Sequence, residues 1–399
     1  RCTGWRTILD AWHLALGDQL DPSGSGTGAI STTLPLPERD LGRAAARAAI
    51  EGGVVQAVGP DVALGGGGFA DDSAPLDALV AVPDAARPGE WALGETLAEA
   101  RAAAGKVQGR RTTIDLRHPL EVPEGDWDLR LRTTWVEPAY LETDASWCAP
   151  GGEPVTPLAN GGAFGAKVSS MAPAVARRLA DEHGRAVRVL LSREDTVRLG
   201  PKRPPIAAGV RSDGSGGLTG VVHVVRTSGV AAAIASVAPG LEVVELDVPG
   251  PPTSVDVRGA GWVEALVLAA AARGATPVAV TTPAGATAEV EILDGVVRVR
   301  VSCGAVLDEV VLRSYCVGAA HMALSWVRRE GIAVDPEGVV HDLTIRSFGI
   351  LRATEMPEVE VEVTLSDGPP VNGSDAVFAA VAAAEWMRQG CPQDWPIDR

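Results

Sequence analysis

A glycine-rich loop at residues 161–167 constrains the fold of this 399-residue chain more than any other segment. The loop consists of Gly161, Gly162, Ala163, Phe164, Gly165, Ala166 and Lys167. Apolar residues follow it at helical spacing, namely Val168, Met171, Val175 and Leu179. Gly184 is well placed to end this helix. The next segment alternates, with one face formed by Val187, Val189 and Leu191. The order predicts a loop directly at a helix N-terminus, followed by a strand.

This loop has the composition of an anion-binding turn. Glycine lets a backbone approach a ligand closely, and the first N–H groups of a helix have no partner within the helix. Together these features suit a phosphate or an oxo group. Lys167 is not followed by Ser or Thr at the spacing of a nucleotide-binding Walker loop, and the dinucleotide pattern is missing too. On residue types alone, an ordinary tight turn before a helix is the better explanation.

Two further loops repeat the combination of glycine with a helix start. The first consists of Arg258, Gly259, Ala260 and Gly261, and the second of Asn372, Gly373, Ser374 and Asp375. The guanidinium of Arg258 can bind an anion in fork geometry. The alternatives are a glycine-containing turn with a surface arginine, and Ser374 or Asp375 acting as an N-cap. Three such loops in one chain favour a single shared anionic ligand.

Charge and cysteine usage narrow the classes of partner. The chain has 35 basic and 51 acidic residues, and the resulting net charge of −16 repels nucleic acid and anionic lipid. We therefore expect no nucleic acid and no membrane partner. The five cysteines are odd in number and form no CxxC pair, so a reducing, cytoplasmic setting is expected. No apolar run approaches the roughly 18–20 residues of a spanning helix, and the histidines lack the spacing of a zinc site.

The rest of the chain alternates between helical and extended patterns. Helices are predicted at 40–50, 95–107, 318–330 and 376–389. Extended segments are predicted at 76–82, 112–116, 128–136 and 358–365. Two further strands, 288–292 and 296–301, flank Leu293, Asp294 and Gly295, which is a strong hairpin signal. The sequence therefore predicts a mixed α+β fold.

Taken in order, these segments resemble the xanthine dehydrogenase and aldehyde oxidase family. The opening RCTGWRTILDAW is similar to the end of the family's [2Fe–2S] domain, and residues 61–145 are similar to its small α/β hammerhead domain. The glycine loop resembles the family's GGGFGGK loop, and residues 258–261 resemble its RGFG loop. Residues 301–306 and 357–361 also resemble family strands.

The resemblance implies an α+β chain in which a small α/β hammerhead domain precedes a shortened molybdopterin-binding α+β domain. The implied divisions are 1–20 (tail of a [2Fe–2S] domain), 21–60 (linker and lead-in), 61–158 (hammerhead-like) and 159–399 (molybdopterin-binding-like). The implied cofactors are molybdopterin with molybdenum, and a [2Fe–2S] cluster whose last ligand is Cys2 and whose other ligands lie upstream. An FAD-containing or other electron-transfer subunit and an oligomeric state are implied as well.

The activity that the resemblance implies is oxidation of a small aldehyde or heterocycle, with electrons passed to the [2Fe–2S] cluster. The implied cofactor contacts come from the three loops: Gly161, Gly162, Ala163, Phe164, Gly165, Arg258, Gly259, Ala260, Gly261, Gly373 and Ser374. Asp375 is the implied catalytic base.

Two departures from the family pattern keep other functions open. Between Leu141 and Gly161 there is no room for the family's glutamine-bearing segment. Near the C-terminus, Gly373, Ser374 and Asp375 stand where the family has a G-x-G-E loop with its catalytic glutamate. Asp375 has the right chemistry on a shorter side chain. A non-catalytic structural or partner subunit that kept the fold is therefore the alternative, and an active site for a different ligand is a third possibility.

Overall fold

The structure is a computed structural model that describes residues 39–105, 114–157, 163–213 and 217–399. Cys2 and the predicted [2Fe–2S] tail, residues 21–38 of the predicted linker and lead-in, and the loop residues Gly161 and Gly162 lie outside these ranges.

The helices and strands of the described residues are numbered in chain order. The helices α1 to α9 are Leu41–Gly52, Pro60–Ala63, Leu97–Ala104, Ala172–His183, Arg193–Leu199, Val230–Ala235, Trp262–Arg273, Glu309–Arg328 and Ser374–Arg388. The strands β1 to β12 are Leu79–Pro83, Trp91–Gly94, Leu129–Arg132, Ala145–Cys148, Val187–Leu190, Ile206–Ser212, Leu218–Val225, Leu241–Leu246, Val278–Thr281, Thr287–Leu293, Val296–Ser302 and Glu358–Val363. Short 3₁₀ helices lie at Ala70–Ser73, Ala166–Ser169, Ile345–Ser347 and Ala353–Glu355.

Three four-stranded sheets, each with helices beside it, confirm the predicted α+β class. Their strand orders are β2-β1-β5-β4, β3-β6-β7-β8 and β12-β11-β10-β9. All three sheets mix parallel and antiparallel neighbours: for example, β1 pairs with β5 in parallel and with β2 antiparallel. In the third sheet, β11 pairs with β12 in parallel and with β10 antiparallel.

The sheets do not follow the predicted division at residues 158 and 159. The first sheet combines β1, β2 and β4 with β5, and α4 packs on the same sheet. Conversely, β3 leaves the first part of the chain to pair with β6 in the second sheet. The predicted domain division stays a prediction, but two of the sheets contain strands from both sides of it.

The segment after the glycine loop differs from the predicted single helix. A 3₁₀ turn, Ala166–Ser169, comes first, and α4 begins only at Ala172 with a proline in its first turn. Proline lacks an N–H group and fits the start of a helix but not its interior. The predicted apolar face is therefore wrong at its start, since Val168 and Met171 are exposed. The end is confirmed, because Gly184 adopts the left-handed conformation.

Two local predictions in the last third are confirmed, and one is corrected. Asp294 and Gly295 both have positive φ in the two-residue turn that joins β10 to β11, which is the geometry of a tight hairpin. Strand β12 confirms the extended segment predicted at 358–365, although it ends at Val363 and leaves Leu365 exposed. However, α8 begins at Glu309, well before the predicted residue 318, because the Asp308 side chain accepts a hydrogen bond from the N–H of Val311 and caps the helix.

The main core lies between the third sheet and helices α7, α8 and α9. Helix α9 buries a run of alanines against α8, and the rings of Trp326 and Phe378 stack with centroids 5.3 Å apart. Among the described residues, α8 has the length and hydropathy of a membrane-crossing helix, which the sequence analysis did not predict. However, 61% of the apolar stretch of this helix is buried inside the protein, as in many core helices. Its length and hydropathy are therefore weak evidence that it crosses a membrane.

Candidate functional site

The structure brings the described parts of the three predicted loops together around Arg258. The side chain of Arg258 is buried, and its Nη2 donates to Oγ of Ser374 at 2.8 Å. Its Nε donates to Oδ1 of Asp375 at 3.1 Å. Its backbone N–H donates to the carbonyl of Phe164 at 2.8 Å, and the guanidinium lies 5.3 Å from the centre of the Phe164 ring. The sequence predicted this convergence, although the cofactor-binding roles of these residues stay predictions.

The glycine at 165 is explained by packing between two of the loops. Gly165 has a φ of +85°, and a Cβ atom placed there would lie 1.5 Å from the carbonyl oxygen of Asp256. Phe164 and Arg258 also have positive φ, an uncommon conformation for residues with side chains. The two loops therefore hold each other in a strained arrangement. The close approach that requires glycine is to the chain's own backbone.

Asp375, the predicted base, is engaged by two protein groups. Its carboxylate pairs with Arg258, and its N–H donates to Oδ1 of Asn372 at 3.0 Å. The side-chain cap of α9 therefore comes from Asn372. The alternative prediction, in which Ser374 or Asp375 is the N-cap, is wrong. About a quarter of the Asp375 side chain remains exposed.

A carboxylate that the sequence analysis did not single out occupies the start of α9. Oε1 of Glu51 accepts from the N–H of Gly373 at 3.0 Å, and Oε2 accepts from the N–H of Ser374 at 2.9 Å. Nη1 of Arg47 lies 3.0 Å from Oε1, and both side chains are fully buried. These are the N–H groups that the sequence analysis assigned to an anionic ligand, so the chain supplies the anion itself.

A second internal carboxylate occupies the start of α7. Oε2 of Glu264 accepts from the N–H of Gly261 at 2.8 Å. Arg203 donates to both Glu264 oxygens, at 2.7 and 2.8 Å, and its guanidinium lies 4.2 Å from the centre of the Trp326 ring. Arg203 was missed because it lies far from Glu264 along the chain and stands between Lys202 and Pro204, outside any recognisable motif.

The space left between the loops is small. A cavity of about 100 Å³ is lined by Glu51, Gly52, Gly53, Phe164, Gly165, Asp256, Arg258, Tyr315, Asn372 and Asp375. Ligand pockets usually measure about 300–1,000 Å³. The cavity borders three carboxylates and one guanidinium that is already paired. The described residues therefore do not fit molybdopterin, which carries a phosphate. Nor do they include a group of three or more His, Cys, Asp or Glu side chains that could hold a metal ion.

A larger cavity of about 810 Å³ lies beside β1, β5 and α3 and shares no described lining residue with the smaller one. Its carboxylates are Asp71, Asp72, Glu142, Asp144, Glu194 and Asp195. Arg101 is the basic residue among its described lining residues. An acidic wall of this kind repels a phosphate-bearing ligand. This cavity is therefore no substitute site for the implied cofactor.

The segment 137–142, which carries part of the resemblance, contributes to a buried polar cluster. Tyr140 donates to Oδ1 of Asp144 at 2.6 Å, and Nζ of Lys202 lies 2.9 Å from Oε2 of Glu137. Burial, followed by the charge of Asp144, raises the pKa of Tyr140 well above its usual value. Burial lowers the pKa of Lys202, against the opposing charge of Glu137. The Lys202–Glu137 ion pair therefore ties residues 137–144 to the chain just before β6, and the Tyr140–Asp144 hydrogen bond closes the segment on itself.

Comparisons with known proteins give distant structural likenesses only. No family model matches the chain, and no curated protein matches it. Quinoline 2-oxidoreductase from Pseudomonas putida 86 is similar at 10% identity over 67% of this chain and 74% of that one, with a TM-score of 0.45. Cu,Mo-CO dehydrogenase is similar at 9% identity over 65% and 72%, with a TM-score of 0.41. Aldehyde oxidoreductase from Desulfovibrio gigas is similar at 9% identity over 73% and 66%, with a TM-score of 0.46. Each TM-score is below 0.5, so these likenesses carry no argument about this chain's function.

Proposed function

We propose that this chain is a non-catalytic structural or partner subunit of the molybdenum hydroxylase type, which has kept the family's loops and does not itself hold molybdopterin. The order of the loop motifs in the sequence supports the family part of the proposal. One observation carries the non-catalytic part. The N–H groups of Gly373 and Ser374 and the guanidinium of Arg258 are already bonded to the carboxylates of Glu51 and Asp375.

The energetics of displacement support the same conclusion. A phosphate-bearing cofactor would have to replace the Glu51 carboxylate at the start of α9. This displacement would break the buried ion pair between Arg47 and Glu51. Breaking a buried ion pair lowers the free energy of unfolding by roughly 3–5 kcal/mol. The cavity beside them, about 100 Å³, offers no room to place the cofactor without that displacement.

Metal and pterin analysis tests the proposal. The full-length protein is purified, and molybdenum and pterin are quantified per chain. A hydroxylase of established cofactor content, expressed under the same conditions, is the control for cofactor supply. We expect the control to be loaded and this chain to contain neither molybdenum nor pterin above the blank. Stoichiometric molybdenum in this chain would overturn the proposal.

The second candidate is the enzyme that the resemblance implies: a molybdopterin-dependent oxidoreductase for a small aldehyde or heterocycle. The convergence of the three loops on Arg258, with Asp375 partly exposed beside it, favours this candidate. Its electrons would pass to a [2Fe–2S] cluster that includes Cys2, and onward to an FAD-containing or other electron-transfer subunit. If the metal analysis supports it, an Asp375→Ala variant with unchanged turnover would exclude Asp375 as the base.

A further inference from the structure

A buried arginine anchors helix α1 at the loop site, the place where the loops at 163–167, 258–261 and 372–375 meet around Arg258. Nη2 of Arg47 donates to the carbonyl of Ala305 at 2.6 Å, and Nε donates to the carbonyl of Val306 at 2.9 Å. Nη1 donates to the carbonyl of Val371 at 2.9 Å as well as to Glu51. A buried charge is tolerated only when it is paired and hydrogen-bonded, and Arg47 meets both conditions. Arg47 therefore fixes the position of the Glu51 carboxylate, one helical turn further along α1.

Further contacts hold the C-terminal end of α1 against the start of α9 and against α8. Nδ2 of Asn372 donates to the carbonyl of Glu51 at 3.1 Å. Gln56 accepts from the hydroxyl of Tyr315 at 2.8 Å and donates to the carbonyl of Ala48 at 3.2 Å. At the other end, Arg39 donates to both carboxylate oxygens of Asp308, at 2.7 and 2.9 Å. The Glu51 carboxylate is thus held in place by helix α1, which hydrogen-bonds to the rest of the protein at both of its ends.

We propose that helix α1 supplies the ligand of an anion site within the chain itself. The site is formed by the N–H groups of Gly373 and Ser374 and by the guanidinium of Arg47, and the carboxylate of Glu51 occupies it. The wild-type site therefore excludes external oxyanions, and removal of the Glu51 side chain opens a site for a small monocarboxylate. This inference deepens the proposed function, since it names the group that stands where an anionic cofactor would bind.

The chemistry of the vacated site defines its ligand. Glu51→Ala removes Cγ and the carboxylate group, and these heavy atoms match those of an acetate ion. The donors left behind, two backbone N–H groups and a guanidinium, are those that bind a carboxylate well. The small cavity borders Glu51 and reaches the exposed Gly53, so acetate has a path to the site.

Rescue of the Glu51→Ala variant by acetate tests the inference. The thermal midpoint of the full chain is followed by circular dichroism at increasing acetate, with chloride adjusted to constant ionic strength. We expect a lower midpoint in the variant than in the wild type, and a rise with acetate concentration in the variant alone, because a ligand that binds only the folded state stabilises it. Formate should also rescue the variant, whereas the longer propionate should do so less.

Two matched variants separate loss of the ligand from general destabilisation. Ala48→Gly weakens the same helix without removing a carboxylate, so acetate should not raise its midpoint more than that of the wild type. Glu51→Gln fills the same volume without charge, so it should be destabilised and not rescued. It also provides a readout if Glu51→Ala does not fold. A wild-type midpoint in Glu51→Gln, or acetate shifts that are equal in Glu51→Ala, Ala48→Gly and the wild type, would overturn the inference.

The outcome is distinguishable from the outcome for the proposed function. Failure of rescue would show that the site vacated by Glu51 does not bind a free carboxylate, which overturns the inference whatever cofactor the chain holds. Molybdenum in the purified chain would overturn the proposed function, whatever acetate does to the variants.

Discussion

Arg258 combines an uncommon backbone conformation with a fully engaged side chain. Its φ is +41°, and its guanidinium reaches Asp375, Ser374 and the sulfur of Met322. Positive φ in a residue with a side chain costs on the order of 1–3 kcal/mol and persists only where the surroundings enforce it. Here the enforcing contact is the hydrogen bond from its N–H to Phe164. The strain belongs to the packing of two loops against each other.

A single methyl group at Gly165 should separate those loops. We expect Gly165→Ala to lower the free energy of unfolding by about 3 kcal/mol or more, because its Cβ would meet the carbonyl oxygen of Asp256 and its φ is +85°. Gly184→Ala is the matched control, with a φ of +62° and open space around the new atom, and it should cost about 1 kcal/mol. Denaturant unfolding measures both. Equal losses would contradict the packing explanation.

Glu385 gives the fold a defined dependence on acid. Burial opposes its charged form, but hydrogen bonds from Arg388, Arg328 and Gln389 outweigh burial and lower the pKa of Glu385 to about 2. A carboxyl whose folded pKa lies below its unfolded pKa adds stability above the unfolded value, near 4.3, and loses it as the pH falls towards 2. We expect this group to contribute about 3 kcal/mol at neutral pH.

The Glu385→Gln variant isolates this contribution. Its free energy of unfolding should lie below that of the wild type at pH 7, and the difference should shrink between pH 4 and pH 2, a range set by the two pKa values. Glu355→Gln removes a more exposed carboxyl whose pKa is also lowered, and it should change stability little. A Glu385→Gln difference that is constant with pH would contradict the assignment.

Helix α7 depends on an ion pair that joins it to the chain just before β6. Glu264 satisfies the N–H of Gly261 within the helix, and Arg203 approaches from outside it with both donors on the Glu264 carboxylate. Arg203 also donates to the carbonyls of Val257 and Arg258. One side chain thus fixes both the loop and the helix that follows it. Its importance comes from burial, because the same pair on the surface would contribute little.

Replacing Arg203 tests this dependence. Arg203→Met should lower the free energy of unfolding by about 3–5 kcal/mol, because it leaves the Glu264 carboxylate buried without a cation. Arg298→Met removes an exposed arginine paired with Glu360 and should cost about 0–1 kcal/mol. Chemical denaturation with matched baselines gives both values. A loss below about 1 kcal/mol for Arg203→Met would indicate that solvent reaches the pair.

The whole molecule is held together by sheets whose strands come from distant parts of the chain. Strand β5 lies between β1 and β4, and β6 has β3 as one of its neighbours. Helix α1 packs beside α8 and bonds to the start of α9. A cut within the glycine loop, between residues 162 and 163, therefore removes partners from two sheets and removes α1 from the start of α9.

The fragment 163–399 should consequently not fold on its own. It would retain β5 without either neighbour and β6 without β3. We expect it to lack a cooperative thermal transition in near-ultraviolet circular dichroism, under conditions in which the full chain shows one. A fragment transition as sharp as that of the full chain would show that residues 163–399 form an independent domain.

Much of the local structure could be predicted because it depends on neighbouring residues. The turn at Asp294 and Gly295, the cap at Gly184 and the buried face of β5 each arise within a few residues of chain. The predicted convergence of the loops came from three glycine-containing loops at helix starts, together with the order of motifs in a resembling family. The start of α4 was missed through a proline that the helical spacing alone did not weigh.

By itself, the sequence determined the α+β class, the hairpin, the helix ends marked by glycine, and three loops suited to anions. Only the tertiary structure decided what those loops bind to. The Glu51 carboxylate meets Ser374 across 323 positions of chain, and Arg203 meets Glu264 across 61. An unsatisfied N–H group at a helix start donates to any suitably placed carboxylate, whether from a ligand or from the chain itself. Composition and spacing carry no information on that choice, because packing alone sets which carboxylate arrives.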